Sequence, residues 1–185
     1  MSDLKELSEL AWKGLLDTKF EHHPVHTFYE GSTEIKPNIL GMKGIGGFFA
    51  IDTGDGLVMI DAGSQLDIET GYEEIKKWRP NDHLKAAIFT HHHVDHVFAI
   101  QKFDEECKSK KLPLPKVYSH NLTPEHFDRY VLTNGWNTAI NRRQFAIDVD
   151  KFNWPTEYRY PDETYTKETS FKQGKLTFNL YHARG

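Results

Sequence analysis

The stretch Thr90-His91-His92-His93-Val94-Asp95-His96 concentrates the chain's metal-binding chemistry. Four of the eleven histidines fall within its last six residues. Read as H-x-H-x-D-H, it offers His91, His93, Asp95 and His96. Imidazole nitrogen and carboxylate oxygen suit a borderline divalent ion such as zinc. In a strand, residues i and i+2 point the same way, so His91 and His93 can face one cation together. A turn directly after that strand would swing Asp95 and His96 to a second, neighbouring position. Two adjacent ions would then bind and activate one water between them. His92 falls between the matched positions and is read as a non-ligand pointing the other way. A solvated His-rich loop or an artificial tag is the plain alternative. Against a tag, Val94 and Asp95 interrupt the run and an apolar, β-rich segment precedes it.

Other chemistries are less well served. There is no G-x-S-x-G elbow for a Ser-His-Asp mechanism. Gly44-Ile45-Gly46-Gly47 lacks the Gly-Lys-Ser/Thr ending of a phosphate loop, and is read as easing the chain into a hairpin. The single cysteine, Cys107, excludes an intramolecular disulfide and a Cys-rich finger; it reads as an ordinary semi-buried thiol. A net charge of -4 does not suggest generic binding to nucleic acid or anionic membrane. The longest apolar runs are far shorter than the roughly 20 residues of a membrane span. The start, MSDLKELSEL, has no basic segment followed by an apolar one, so a cytoplasmic setting is expected. With 185 residues, 38% hydrophobic and 27% charged, the chain fits one ordinary domain and not a disordered one.

The positioning elements follow from periodicity and turn chemistry. Leu4, Leu7, Leu10, Ala11 and Leu15 predict an amphipathic N-terminal helix. Residues 20–40 are rich in turn formers such as Lys36-Pro37. Phe48–Ile51 and Leu57–Ile60 flank Thr53-Gly54-Asp55-Gly56, and Asp-Gly between β-formers predicts a hairpin. The second run ends at Asp61-Ala62-Gly63, where a strand gives way to a loop. Ile68, Tyr72, Ile75 and Trp78 mark a helix face that Pro80 stops. Leu84–Thr90 reads as a buried strand running into the histidines, Phe98–Lys111 as a helix, and Lys116–His120 as a strand. Thr123-Pro124 reads as a helix start with Thr as N-cap, the helical region continuing past a break near Gly135 towards Phe145. Leu176–Tyr181 alternates as a strand ending at His182. Strands alternating with helices predict a layered α/β architecture. The aromatics Trp136, Phe145, Phe152, Trp154, Tyr158 and Tyr160 belong to an aromatic-rich insertion. They are expected to pack onto the domain, the alternative being an apolar pocket wall.

GDGLVMIDAG, the strand AAIFT, the motif THHHVDH, and His182 near Gly185 together resemble the metallo-β-lactamase superfamily. The resemblance implies an αββα sandwich, of which this chain supplies about the first half. Residues 1–39 would be an N-terminal helix and lead-in; 40–185 would hold sheet, metal motif and insertion. It implies that His91, His93 and His182 hold a first metal, and that Asp95 and His96 begin a second site. Asp95 would also orient the nucleophile, a metal-bound hydroxide that attacks an ester-like substrate. The cofactor implied is zinc, two per complete site, with iron or manganese as alternatives. Thr138-Ala139-Ile140-Asn141-Arg142-Arg143 and HARG are similar to N-A-M-S-R-R and H-A-P-G of the alkylsulfatase branch, with Thr138, Asn141 and Arg184 departing from it. That narrower likeness implies an alkyl sulfate ester and an anion-binding role for Arg142 and Arg143, against a plain charged helix face. A bridging acid and a final histidine are not located in the chain. A complementary C-terminal half, on this or a separate polypeptide, is therefore expected as a partner alongside the small-molecule substrate. The alternatives are a mononuclear iron enzyme of the persulfide-dioxygenase type, and an inactive fragment or binding piece.

Overall fold

The computed structural model describes residues 31–44, 46–144 and 153–183, together with residues 6, 9, 10 and 12–15. Seven strands form one sheet in sequence order: β1 (Ser32–Lys36), β2 (Ile39–Met42), β3 (Phe48–Asp52), β4 (Leu57–Ile60), β5 (Leu84–Ile88), β6 (Lys116–His120) and β7 (Glu163–Tyr165). The first four pair antiparallel; β4 through β7 pair parallel. Parallel neighbours need crossovers. These are α1 (Ile68–Trp78), α2 (Ile100–Ser109), and α3 (Thr123–Leu132) with α4 (Asn134–Gln144). A separate hairpin, β8 (Glu168–Gln173) with β9 (Leu176–Tyr181), closes the described chain.

The two faces of the sheet are covered unequally. On one face Met59, Ala87, Phe89 and Val117 meet Ile75 of α1, Ile100 and Phe103 of α2, and Phe127 of α3 in one buried cluster. On the other, Val58, Ala86 and Ile88 pack under Phe171, Phe178 and Leu180 of the hairpin. Tyr118 stacks on Phe171 with ring centroids 4.1 Å apart, tying hairpin to sheet. The hairpin turn docks as well: the Lys175 N–H donates to the Thr53 carbonyl at 3.0 Å. Gly174 makes that approach possible, because its φ is +53° and an added Cβ would lie 2.4 Å from the Thr53 oxygen. Beyond the hairpin the face is partly open, and Phe49 is 38% exposed.

Several elements differ from the sequence expectation. The sheet begins at Ser32, inside the stretch read as lead-in, because Pro37-Asn38 turns β1 onto β2, with Asn38 at φ +67°. The strand expected to reach Thr90 stops at Ile88, since the chain bends there to form the histidine loop. Thr123 is the first helical residue and not the cap; Leu122 precedes it and no side chain caps α3. The helical break falls at Thr133, before Gly135. Of the N-terminal helix, residues 6, 9, 10 and 12 are helical, while Leu4, Leu7 and Ala11 lie outside the described residues, as do Phe145 and Phe152. The insertion packs inward. Trp154 is buried, with its indole N–H donating to Asn141 Oδ1 at 2.8 Å, and Tyr158 stacks on Phe127. Trp136, by contrast, is exposed.

Candidate metal centre

In open α/β sheets, ligands gather at the carboxyl ends of parallel strands. Here that edge carries Asp61 after β4, the Thr90–His96 loop after β5, and His120 at the end of β6. The edge is laced by main-chain bonds: Asp61 N–H to the Ile88 carbonyl at 2.8 Å and Phe89 N–H to the Tyr118 carbonyl at 2.9 Å. These residues therefore sit on rigid supports, although the histidine loop itself is not a strand.

That changes how His91 and His93 meet. No strand pleat aligns them; the loop turns back, with the His96 N–H donating to the His93 carbonyl at 3.0 Å. The rings lie close together, although the group of converging ligand atoms takes in His91 and His96 and not His93. The ring centroids of His91 and His93 lie 4.6 Å apart, and those of His91 and His96 4.3 Å. His92 stacks on His126 of α3 at 4.0 Å, with its ring centroid 4.9 Å from that of His93. Burial, with His126 and His93 nearby, pushes its imidazole down to about 4.

The residue that organises this cluster was missed in the sequence. Asp61 is buried, at φ +57°, and both of its oxygens are engaged. Oδ1 accepts the Thr90 N–H at 2.7 Å, and the Thr90 hydroxyl donates to the same carboxylate at 2.7 Å to Oδ2. Oδ2 lies 3.0 Å from His96 Nδ1, and an ionised carboxylate only accepts, so the proton is on Nδ1. The Thr90 hydroxyl, having spent its one proton, accepts from His91 Nδ1 at 2.9 Å. One carboxylate and one hydroxyl thus set the tautomers of two histidines and leave each Nε2 as the atom for a cation. Asp61, His91 and His96 are the one group of three described residues whose ligand atoms all lie within 4.8 Å of one another. Both Asp61 oxygens already accept hydrogen bonds, an arrangement that orients the neighbouring imidazoles. The signal for it was its place in Asp61-Ala62-Gly63, directly after a strand.

The electrostatics suit a cation. His96 Nε2 lies 3.4 Å from Asp95 Oδ2. Burial alone would lower the His96 imidazole, but the carboxylates of Asp61 and Asp95 push it up to about 9. A divalent ion on Nε2 would take the place of a ring proton between these carboxylates. Burial raises the Asp95 carboxyl, yet the hydrogen bond and charge of His96 hold it below the usual range. Burial, with His96 and His93 alongside, lowers His91, which favours the neutral ring that a metal needs. The donor set and its charge therefore fit a divalent ion.

The remaining candidates are placed apart from this group. His182 follows β9 and stacks on His120, with ring centroids 4.2 Å apart; its atoms are not within the 4.8 Å group. It lines a cavity of about 530 Å³ between sheet and hairpin, together with Thr90, His120 and Tyr165. Arg142 and Arg143 close α4, and Arg143 borders a separate surface depression with Ile140 and Gln144. Gly46, expected only to ease the chain into a hairpin, lies against the histidine loop. A Cβ there would meet the Asp95 carbonyl oxygen at 1.9 Å and His96 Nε2 at 3.1 Å. Cys107 is buried and its thiol is raised by that burial, as expected of an inert side chain.

The family model of the metallo-beta-lactamase superfamily matches residues 48–174, more than half of the chain. The chain belongs to that superfamily. Its match spans β3 and β4, the Asp61 turn, the histidine loop and the crossover helices, but not β9 or His182. The stereoselective inverting sec-alkylsulfatase Pisa1 from Pseudomonas sp. superposes with a TM-score of 0.65 at 15% identity, over 98% of this chain and 33% of that one. A subclass B3 metallo-beta-lactamase of Bradyrhizobium japonicum superposes at 0.55 and 16% identity, over 83% and 52%. A metallo-beta-lactamase of Cronobacter sakazakii does so at 0.56 and 15%, over 81% and 52%. The chain thus spans about a third of the alkylsulfatase and about half of each lactamase. No protein of curated function matches it by sequence. At these identities the likeness establishes the fold. No helix among the described residues is long and apolar enough to cross a membrane.

Proposed function

We propose that the chain is the metal-holding portion of a metal-dependent hydrolase acting on an ester-like substrate, with alkyl sulfate esters as the candidate class. The observation that carries this reading is the Asp61–Thr90 network, which orients the imidazoles of His91 and His96, with His96 Nε2 3.4 Å from the Asp95 carboxylate. His91, His93 and His182 would hold one ion, and Asp95 with His96 would begin a second site. Zinc suits this donor set, and iron or manganese share it. A bound divalent ion supplies an activated water at neutral pH and an electrophile for developing negative charge.

The chain's own residues do the rest. Asp61 and Thr90 fix the imidazoles before any ligand arrives, so little reorganisation is left to binding. Asp95 fixes the position of its neighbour His96 and would orient the attacking group. The cavity lined by Ile60, Ile88, Phe178 and Leu180 offers an apolar bed beside the polar rim of Thr90 and His182. That division suits an alkyl group with a charged head. Arg142 and Arg143 are candidates for the anion, supported by their likeness to the alkylsulfatase helix. The complete enzyme would include a complementary half, on the same or another polypeptide, supplying the bridging acid and last histidine. The partly open sheet face and the partial coverage of the related structures support this.

The test is a panel of carboxylic esters, alkyl sulfates, lactones and β-lactams, offered to the complete assembly with and without a chelator. Chelator-sensitive release of inorganic sulfate is the expected result. Turnover of another class alone would move the substrate assignment, and chelator-insensitive turnover would remove the metal from the reaction.

A further inference from the structure

His120 is the last residue of β6, and His182 follows β9, so the two approach from different sheets. Their rings stack with centroids 4.2 Å apart and planes 24° apart. His120 is immobilised. The Leu122 N–H donates to its Nδ1 at 3.3 Å, and a backbone N–H can only donate, so Nδ1 is bare. The ring hydrogen therefore sits on Nε2, which donates to the Thr166 carbonyl at 3.1 Å. With both nitrogens spent on main chain, His120 has no atom left for a metal. His182 is pinned through the next residue: its backbone N–H donates to the Lys167 carbonyl at 2.8 Å. Thr166 and Lys167 are neighbours in the β7–β8 connection, so one dipeptide holds both histidines. Tyr165, just before it, meets the His120 ring edge-on at 5.9 Å, and its carbonyl takes the Asn121 N–H at 2.9 Å.

We propose that His120 is a positioning residue for His182, whose imidazole it holds by its ring face in the cavity that Thr90 also lines. The inference rests on the reading of His182 as a ligand of the first site. A histidine at an exposed strand end otherwise samples several rotamers, and fixing one on binding opposes affinity. A ring already seated on a fixed platform has largely lost that freedom. The role needs a flat face and no hydrogen bond to His182, which separates it from the contacts that hold His120 itself.

Cobalt(II) titration of the 185-residue chain tests this, read by calorimetry and by the visible absorption of the bound ion. His182→Ala is expected to weaken binding and change the absorption bands, because a nitrogen ligand is lost. His120→Ala keeps every ligand, so its bands at saturation should match wild type while affinity falls roughly 10–100-fold, as for residues that orient metal ligands. His120→Phe retains the flat face without the two main-chain hydrogen bonds and should recover part of that loss; His120→Asn, which has no ring, should not. Circular dichroism establishes that each variant folds, and the Phe and Asn variants decide the matter if His120→Ala does not. Wild-type affinity in His120→Ala beside an impaired His182→Ala would overturn the positioning role and leave the ligand reading standing. A Phe variant as weak as the Asn one would also overturn it. Wild-type binding and absorption in His182→Ala would remove both.

Discussion

Asp61 sits at φ +57° with a buried carboxylate that accepts from Thr90 and His96, and two histidine tautomers depend on it. Asn tolerates the same left-handed backbone, so Asp61→Asn changes the chemistry with little change in strain. Its amide N–H₂ facing His96 would force the ring proton from Nδ1 to Nε2, the atom reserved for a cation. Zinc affinity measured by calorimetry should fall roughly 10–100-fold. Urea unfolding should show about 1.5–3 kcal/mol lost with the charge-assisted bonds. Undiminished zinc affinity would contradict the orienting role. The crowding of His91, His93, Asp95 and His96 onto one loop could be read from the sequence because their spacing is local, and imidazole and carboxylate suit the same kinds of ion. Asp61 could not, because its work depends on a partner 29 residues away that only the sheet brings near. The same holds for Gly46, whose lack of a side chain matters only once the histidine loop lies against it.

Among the elements, α1 and α2 are joined by a buried ionic contact. Glu106 of α2 accepts from Lys76 of α1 at 2.8 Å, and from Lys110 at 2.6 Å, with its side chain 4% exposed. Burial pushes the Glu106 carboxyl up, but the two lysines hold it below its ordinary value of 4.5. A depressed folded pKa means a contribution that is complete above the unfolded value and lost as pH falls through the folded one. Stability should therefore decline below about pH 4.5 in wild type, and Glu106→Gln should remove that part of the decline. At neutral pH the variant should lose about 2–3 kcal/mol, below the upper range for buried pairs because Lys110 is half exposed. Equal stability of the two proteins in urea at neutral pH would contradict this. The helices themselves were legible from the Ile68–Trp78 face and the Pro80 stop, and β3–β4 from Asp55-Gly56. β1, β2, β7 and β8 were not. β1 and β7 are short and only partly buried, β2 is four residues long with a glycine inside it, and β8 alternates but turns only half-buried residues, Thr169, Phe171 and Gln173, to one side.

For the molecule as a whole, the hairpin is the point where stability and site meet. Phe171 stacks on Tyr118 at 4.1 Å and on Phe178 at 5.0 Å, and the strand after it leads to His182. Phe171→Ala should cost about 2 kcal/mol, less than a fully buried Phe, and should weaken metal binding at the first site. A stability loss with metal affinity intact would show that the hairpin end has no part in ligation. The layered α/β class and the superfamily were visible in the alternation of elements and in THHHVDH. The covering of one sheet face by β8–β9 was not, because Thr169, Phe171, Phe178 and Leu180 are separated from that face by the whole crossover region. The central claim, that the loop after β5 holds a divalent ion, is met most directly by elemental analysis. The wild-type chain and His93→Ala would each be loaded with zinc and dialysed. Retention of zinc near one or two equivalents by wild type, and its loss in the variant, is the predicted result. Equal zinc in both, or none in either, would contradict it.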